Sequence, residues 1–297
     1  MAVINVDDIY TLDNTGKQVD DAVDYALSNS NRNLLDNPWW GSGEVVNQRQ
    51  ITAKPSSNGA YCIDRWTWSS GADANKMSLG ANGITFTRSA SSIWFAQKLA
   101  NPSALVGKKI TGSVMLSDGT IKSGSAVYAS VGSTPTLYRD SAVEIYISNV
   151  GAFTLTIKTT QTIRAVKLEL GSYSTLINDT PPDYGEELRK CQRYFQRLNA
   201  ASSTAAPLGL TEYASTSLVR CTVILPVPLR ANPKVKLTGN ASVSRKTGWA
   251  ANISTLSFLI MANNRVTFNA TVSGLAEASD YFVYLSNNAY IDLSADL

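Results

Sequence analysis

Residues 142–171 read AVEIYISNVGAFTLTIKTTQTIRAVKLELG, and this stretch decides the fold class. It contains three runs rich in β-branched and aromatic residues, AVEIYIS, FTLTIKTT and AVKLELG, in which apolar and polar side chains tend to alternate. Such alternation is typical of strands that bury one face. Polar residues and a glycine separate the runs, and no helical periodicity interrupts them. The stretch therefore predicts consecutive antiparallel strands.

The same pattern continues on both sides of this stretch. Five similar runs precede it: YCIDRWTW, GITFTR, IWFAQKL, KITGSVMLS and AVYASVG. About eight strands without an intervening helix predict an antiparallel β-sandwich over residues 33–180, most closely a jelly roll. Strand runs resume after residue 205 with STSLVRCTVILPVPL and four more, which predict a smaller C-terminal β-sandwich over 205–297. The chain is thus expected to be all-β, with two domains.

Residues 181–204 are expected to link the two domains through a helix. In PPDYGEELRKCQRYFQRL, Asp183 can cap the helix, with Glu186 three residues later. Apolar residues then recur at helical spacing through Leu188, Cys191, Phe195 and Leu198. This spacing predicts a helix that continues to the end of the motif.

Residues 1–32 are expected to form an attachment and oligomerisation segment. Its QVDDAVDYAL motif places Val19, Val23, Ala26 and Leu27 on one apolar stripe of a short helix. A helix of about ten residues is marginal alone, so the stripe needs a partner. That partner is either the chain's own globular part or the same helix from other copies on a symmetry axis.

The composition excludes several kinds of catalytic site. The chain has no histidine, so Ser-His-Asp and Cys-His sites and zinc sites with imidazole ligands are impossible. Its three cysteines, which we expect to be buried free thiols, are too far apart for a metal clip: Cys62, Cys191 and Cys221. Paired carboxylates remain, but none of the candidates forms a motif: Asp64, Asp140, Glu144, Glu169, Glu186 and Glu187. We expect no enzymatic activity, metal or cofactor.

Charge and hydropathy narrow the range of partners. The net charge is +3 and the basic residues are scattered, which argues against nucleic-acid binding. No apolar stretch is long enough to cross a bilayer, and the N-terminus lacks the pattern of a secretion signal. We therefore expect that the protein is synthesised in the cytoplasm and does not insert into a membrane.

Tryptophans are the main candidates for ligand contact. Most of those in the first domain are expected to fill its core. Trp39 and Trp40 are neighbours on an extended segment and must face opposite sides, so we expect one in the core and the other against another subunit, in preference to solvent or a ligand. Trp249 instead lies in a polar loop, SVSRKTGWAANIS. This loop is the candidate ligand site, or alternatively a subunit contact, with these residues: Arg245, Lys246, Trp249 and Asn252.

Several linked motifs carry a resemblance to a known family. NLLDNP, VNQRQ and YCIDRW are followed much later by VKLELGSYSTLINDTPPDYGEELRKCQRYFQRL and then by ILPVPLRANPKVKL. In this order, over about residues 31–240, they resemble tail-fibre and receptor-binding proteins of bacteriophages and prophages, whose jelly-roll domain is similar to carbohydrate-binding modules. One departure is Gln50, because the family usually has glycine after Asn-Gln-Arg.

The resemblance implies a non-enzymatic virion tail protein. It would form a homotrimer, attach to other tail or baseplate proteins through its N-terminus, and adhere to a bacterial surface glycan after assembly in the host cytoplasm. Two alternatives remain. The chain could be a structural head- or baseplate-decoration or connector protein without a ligand, or a glycan depolymerase, although it lacks the β-helix repeats usual in such enzymes.

Overall fold

A computed structural model describes residues 31–199, 206–245, 250–275, 281–286 and 288–296. The helix predicted around Val19, Val23, Ala26 and Leu27 lies outside these residues and stays a prediction. The described chain consists mainly of antiparallel strands, numbered here in chain order, around two large hydrophobic cores and a small cluster beside the first. This confirms the all-β sandwich class, while the finer assignment of a jelly roll stays a prediction. Within this part of the chain, no helix is both long and apolar enough to span a bilayer.

Two sheets form the first sandwich. In spatial order, the six-stranded sheet contains β1 (Ala60–Tyr61), β2 (Thr67–Ser70), β5 (Ile93–Lys98), β10 (Ala152–Ile157), β9 (Val143–Ile147) and β8 (Thr136–Arg139). The five-stranded sheet contains β3 (Lys76–Gly80), β4 (Gly83–Thr87), β11 (Gln161–Leu170), β6 (Lys109–Leu116) and β7 (Ile121–Val127). Short 3₁₀ helices lie at Pro102–Leu105 and Leu176–Asn178.

Alternation along the strands fills the first core. Val143, Ile145 and Ile147 of β9 are fully buried, whereas Glu144 and Tyr146 between them face the other side of the sheet. Aromatic rings occupy the centre, where Trp40 meets Trp66 edge-on with 5.0 Å between ring centroids. Most tryptophans of this domain therefore serve the core, as the sequence predicted.

A pair of glycines lets the two sheets approach closely at one edge. Gly112 of β6 lies directly opposite Gly124 of β7. A Cβ atom on Gly124 would lie 2.1 Å from the carbonyl oxygen of Leu137 in β8, which belongs to the facing sheet. A side chain at this position would therefore push β8 away from β7.

The double tryptophan lies beside β11. The amide of Trp40 donates to the carbonyl of Arg164, so this segment runs along the strand. Trp40 enters the main core and Trp39 faces the opposite side, as expected for neighbours on an extended segment. The expectation that one of them contacts another subunit is wrong, because Trp39 is only 5% exposed and is covered by Leu176 of its own chain.

Three sheets enclose the second core. The three-stranded sheet contains, in spatial order, β12 (Phe195–Asn199), β22 (Tyr290–Ser294) and β16 (Lys234–Thr238). The first four-stranded sheet contains β13 (Ala206–Pro207), β21 (Tyr281–Leu285), β17 (Ala241–Arg245) and β18 (Ala250–Asn252). The second four-stranded sheet contains β14 (Leu210–Ser215), β15 (Leu218–Ile224), β20 (Arg265–Thr271) and β19 (Thr255–Ala262).

The linking helix is shorter than the sequence predicted. Helix α1 spans Tyr184–Gln192, and Asp183 caps it by accepting the amide of Glu186 at 2.9 Å, as expected. The predicted continuation through Leu198 is wrong, since Phe195–Asn199 forms β12 and pairs with β22 along its whole length. Backbone hydrogen bonds to the last strand of the chain outweigh the local helical spacing.

Candidate functional site

Segments from several of the motifs that carry the family resemblance contact one another around Asn37. We call this region the junction and define it by these residues: Asn37, Val46, Arg49, Asp64, Arg65, Glu187 and Arg197. The Asn37 side chain donates to the carbonyls of Val46 (2.8 Å) and Asp64 (2.9 Å) and accepts the amide of Val46 (2.8 Å). Its own amide donates to Glu187 of helix α1 at 2.8 Å. One buried side chain thus ties together segments distant in sequence.

Arg49 extends the junction to the C-terminal end of the second sandwich. Its guanidinium lies 2.5 Å from Asp296 and 3.5 Å from Asp64, and it stacks 3.8 Å from the ring centroid of Phe195. Arg197 donates to the carbonyl of Arg49 at 2.9 Å. These contacts connect the first sandwich, the linker and the last residues of the described chain.

Burial dominates the electrostatics of the junction. It raises the pKa of the Asp64 carboxyl from 3.8 to about 6, against the opposing effect of the Arg49 guanidinium. The same cause raises the pKa of the Cys62 thiol to about 12, so this cysteine has little thiolate character. The junction is buried and its hydrogen bonds are made within its own chain, while the second oxygen of Asp64 only approaches Arg49 at 3.5 Å. The junction therefore acts as a structural element.

The predicted loop site is only partly described. Lys246 and Trp249 lie outside the described residues. Arg245 donates to the hydroxyl of Tyr281 at 3.0 Å and shares a face of β17 with the buried Val243. Asn252 is exposed and lies opposite Ser242, on the other face of the hairpin. The structure therefore does not bring Arg245 and Asn252 together.

A different set of residues converges on the outer face of the six-stranded sheet. In one row, Trp94 of β5 pairs with Thr156 of β10, which pairs in turn with Glu144 of β9. The next row contains Ala96, Thr154 and Tyr146 in the same order. Directly paired residues share a face. We call this surface the platform: Trp94, Ala96, Glu144, Tyr146, Thr154 and Thr156.

The platform has a partly exposed aromatic ring beside a floor of nearly buried threonines. Trp94 is 37% exposed and stacks on no other ring among the described residues, unlike Trp40 and Trp66 of the core. Trp94 and Glu144 are separated by one strand, so their backbones lie about 10 Å apart. Tyr146 is half-buried beside Thr154. Between β5 and β9, Thr154 and Thr156 of β10 are nearly buried, and the hydroxyl of Thr154 donates to the carbonyl of Ala152.

Two cations define the charge of the platform. Glu144 accepts a hydrogen bond from Arg139, and its other oxygen lies 3.0 Å from the ammonium of Lys158. Partial burial disfavours ionisation of Glu144, but these two cations outweigh it and lower the pKa of the carboxyl. Glu144 is therefore an ionised hydrogen-bond acceptor at neutral pH.

The arrangement is suited to binding polyhydroxylated ligands. An aromatic face packs against the apolar face of a sugar ring, while carboxylates, hydroxyls and guanidinium groups bond its hydroxyls. Trp94 and Tyr146 supply the rings, and Glu144 with its two cations supplies the polar groups.

The other predicted carboxylates have structural roles. Glu169 is buried and accepts both the amide and the hydroxyl of Thr175. Asp140 accepts from Lys122 and from the hydroxyl of Tyr138. In the described part of the chain, no group of three or more metal-ligating acids or cysteines is arranged to hold an ion. The prediction of three buried free cysteines is confirmed.

The sequence does not reveal the platform as a unit, although two of its members are candidates for other roles. Trp94 is one of the first-domain tryptophans, most of which are expected in the core, and Glu144 is one of the candidate catalytic carboxylates. The signal was present in the alternation of IWFAQKL and AVEIYIS, which places Trp94 and Tyr146 opposite the buried positions. The register that brings them together across β10 is a tertiary property.

Comparisons with known proteins add no family to these observations. No protein-family model matches the chain, and no curated protein matches it either. The resemblance to bacteriophage tail proteins therefore depends on the quoted motifs.

Proposed function

We propose that this protein is a non-enzymatic tail-fibre or receptor-binding protein of a bacteriophage virion, and that it adheres to a bacterial surface glycan through the platform. The observation that carries the proposal is the row of Trp94, Thr156 and Glu144, with Tyr146 in the next row. It combines an exposed ring with an ionised acceptor on a rigid sheet. The linked sequence motifs supply the virion context.

A sheet face is well suited to adhesion. Strand register fixes the backbone from which its side chains project, so no backbone needs to be ordered when a saccharide binds. The surface is open rather than a deep cleft, which suits a segment of a long glycan. In this proposal the homotrimer presents three platforms, and weak individual sites gain strength through multivalency.

A glycan array probed with the purified full chain tests the platform. Trp94→Ala should weaken binding of any glycan hit about five- to thirty-fold, because an aromatic anchor is typically worth about 1–2 kcal/mol. Tyr173→Ala is the matched control, since Tyr173 is 83% exposed and lies outside the platform. Equal binding by wild type and Trp94→Ala would refute the platform as the binding surface.

A structural head- or baseplate-decoration or connector protein is the second candidate. It is favoured by exposed apolar residues of the second sandwich, where Leu210 (73% exposed), Ile224 (60%) and Phe282 (36%) line a groove of about 410 Å³. Exposed apolar patches mark interaction surfaces. Native mass spectrometry of the full chain tests the assembly: a homotrimer is expected for the fibre protein, and a monomer would count against it.

A further inference from the structure

A cavity of about 340 Å³ opens between three parts of the chain: residues 32–39, the loop 179–182 before helix α1, and residues 187–194 of the helix and the turn after it. Pro38, Trp39 and Pro182 form its apolar walls, and Tyr194 also lines it. It shares no residue with the platform. Its volume is at the lower end of the roughly 300–1,000 Å³ typical of small-molecule sites, enough for one compact ligand.

The carboxylates that line this cavity already have partners within the chain. Asp36 lies 3.0 Å from the guanidinium of Arg65. Asp179 lies 2.6 Å from the ammonium of Lys167. The third carboxylate, Glu187, accepts the amide of Asn37 at 2.8 Å and also pairs with Lys190. These acids therefore do not leave the cavity with uncompensated negative charge.

Two guanidinium groups at the cavity differ from these carboxylates in their contacts. Arg32 and Arg193 line the cavity, and neither has an ion pair or a side-chain hydrogen bond within the described ranges. Arg32 approaches from the N-terminal segment and Arg193 from the end of helix α1. The planar fork of arginine matches the two oxygens of a carboxylate. The cavity thus offers hydrogen-bond donors to an anion beside apolar walls.

We propose that this cavity is a second ligand site that binds a sugar-sized carboxylate, such as a uronic acid, with the carboxylate held by Arg32 and Arg193. The ring of the ligand would pack against Pro38, Pro182 and the accessible edge of Trp39. The site does not depend on the platform, and it stands or falls separately from the adhesion function.

Isothermal titration of the full chain with galacturonate tests the proposal, with galactose and inorganic phosphate as comparison ligands. We expect saturable binding of galacturonate and none of galactose. Arg193→Gln and Arg32→Gln should each weaken galacturonate binding at least ten-fold, since each removes a charged hydrogen-bonding partner of the carboxylate. Both arginines are exposed, so the variants should fold, and thermal unfolding verifies this.

Arg189→Gln is the matched control, because Arg189 lies on the same helix and is exposed but does not line the cavity. It should bind galacturonate like the wild type. Absence of saturable binding, or an equal loss in Arg189→Gln, would overturn the proposal. Phosphate binding as tight as galacturonate binding would show a general anion site and refute the sugar carboxylate. Loss of galacturonate binding in Trp94→Ala would assign the ligand to the platform instead.

Discussion

The junction around Asn37 and the platform around Trp94 use their side chains in opposite ways. At the junction, buried side chains bond their own backbone, as Asn37 does with Val46 and Asp64. On the platform, Trp94 is partly exposed and faces away from the core. The recognisable sequence motifs meet at the junction, whereas no motif marks the platform. The residues most useful for recognising this chain therefore hold its fold together.

The largest effect is expected from Asn37→Ala. It leaves the amide and carbonyl of Val46 and the carbonyl of Asp64 without their partner, at about 1 kcal/mol or more each. Position 37 also has a φ of 52°, which alanine adopts at a cost of about 1 kcal/mol. We expect the free energy of unfolding to fall by about 4 kcal/mol, measured by urea denaturation.

Two further variants test the difference between the junction and the platform. Asn37→Gly removes the same hydrogen bonds but tolerates the positive φ, so it separates the two contributions. Trp94→Ala should cost only about 1–2 kcal/mol, because its ring is already partly in solvent. If Trp94→Ala destabilises the protein as much as Asn37→Ala, the distinction between a structural junction and a binding platform fails.

A second prediction concerns pH. The folded-state pKa of Asp64 is raised to about 6, so the native state disfavours its ionisation and its contribution to stability decreases as pH rises from about 4 to 6. Arg49, Asp296 and Gln48 are the groups that act on it. Asp64→Asn removes this titration. Relative to wild type, its free energy of unfolding should increase by about 2–3 kcal/mol between pH 4 and 7.

Asp140, near the platform, should behave in the opposite way. Burial disfavours its ionisation, but Lys122, two backbone amides and Tyr138 outweigh this and hold its pKa well below the ordinary range. Its stabilising effect is therefore present at neutral pH and is lost as pH falls below about 4. Urea denaturation across pH should give Asp64→Asn and Asp140→Asn opposite trends against wild type. A pH-independent difference for Asp64→Asn would contradict the raised pKa.

The sequence predicted the strands better than the places where they meet. Period-two runs such as AVEIYIS indicated strands and buried faces correctly, because alternation is a local property. The helix through Leu198 was wrong because Phe195–Asn199 pairs with β22, about ninety residues later in the chain. Long-range pairing of this kind leaves no local pattern.

The candidate site was less predictable than the fold. Trp94 and Tyr146 become neighbours only through the register of β5, β10 and β9. One of Trp39 and Trp40 was expected at a subunit contact, but Trp40 enters the core and Leu176 covers Trp39, because the chain folds back after β11. Arg245 and Asn252 are close in sequence yet face opposite sides of a hairpin. In each case tertiary placement decides which side chains are available to contact a ligand or another subunit.

The smallest effect is expected at Gln50, where the sequence departs from the glycine usual in the resembling family. Gln50 has a φ of 56°, in the left-handed region that favours glycine, and its amide closes a turn onto the carbonyl of Asn47 at 3.1 Å. Gln50→Gly should relieve about 1–2 kcal/mol of backbone strain but adds about 0.5–1 kcal/mol of chain entropy to the unfolded state. We expect a net stabilisation of up to about 1 kcal/mol, measured by urea denaturation.

Gln48→Gly is the opposite case, because the side chain of Gln48 donates to the carbonyl of Phe195 at 3.0 Å, and its loss should destabilise the junction. If Gln50→Gly destabilises the protein instead, the side chain of Gln50 makes a contribution that outweighs the strain of its backbone.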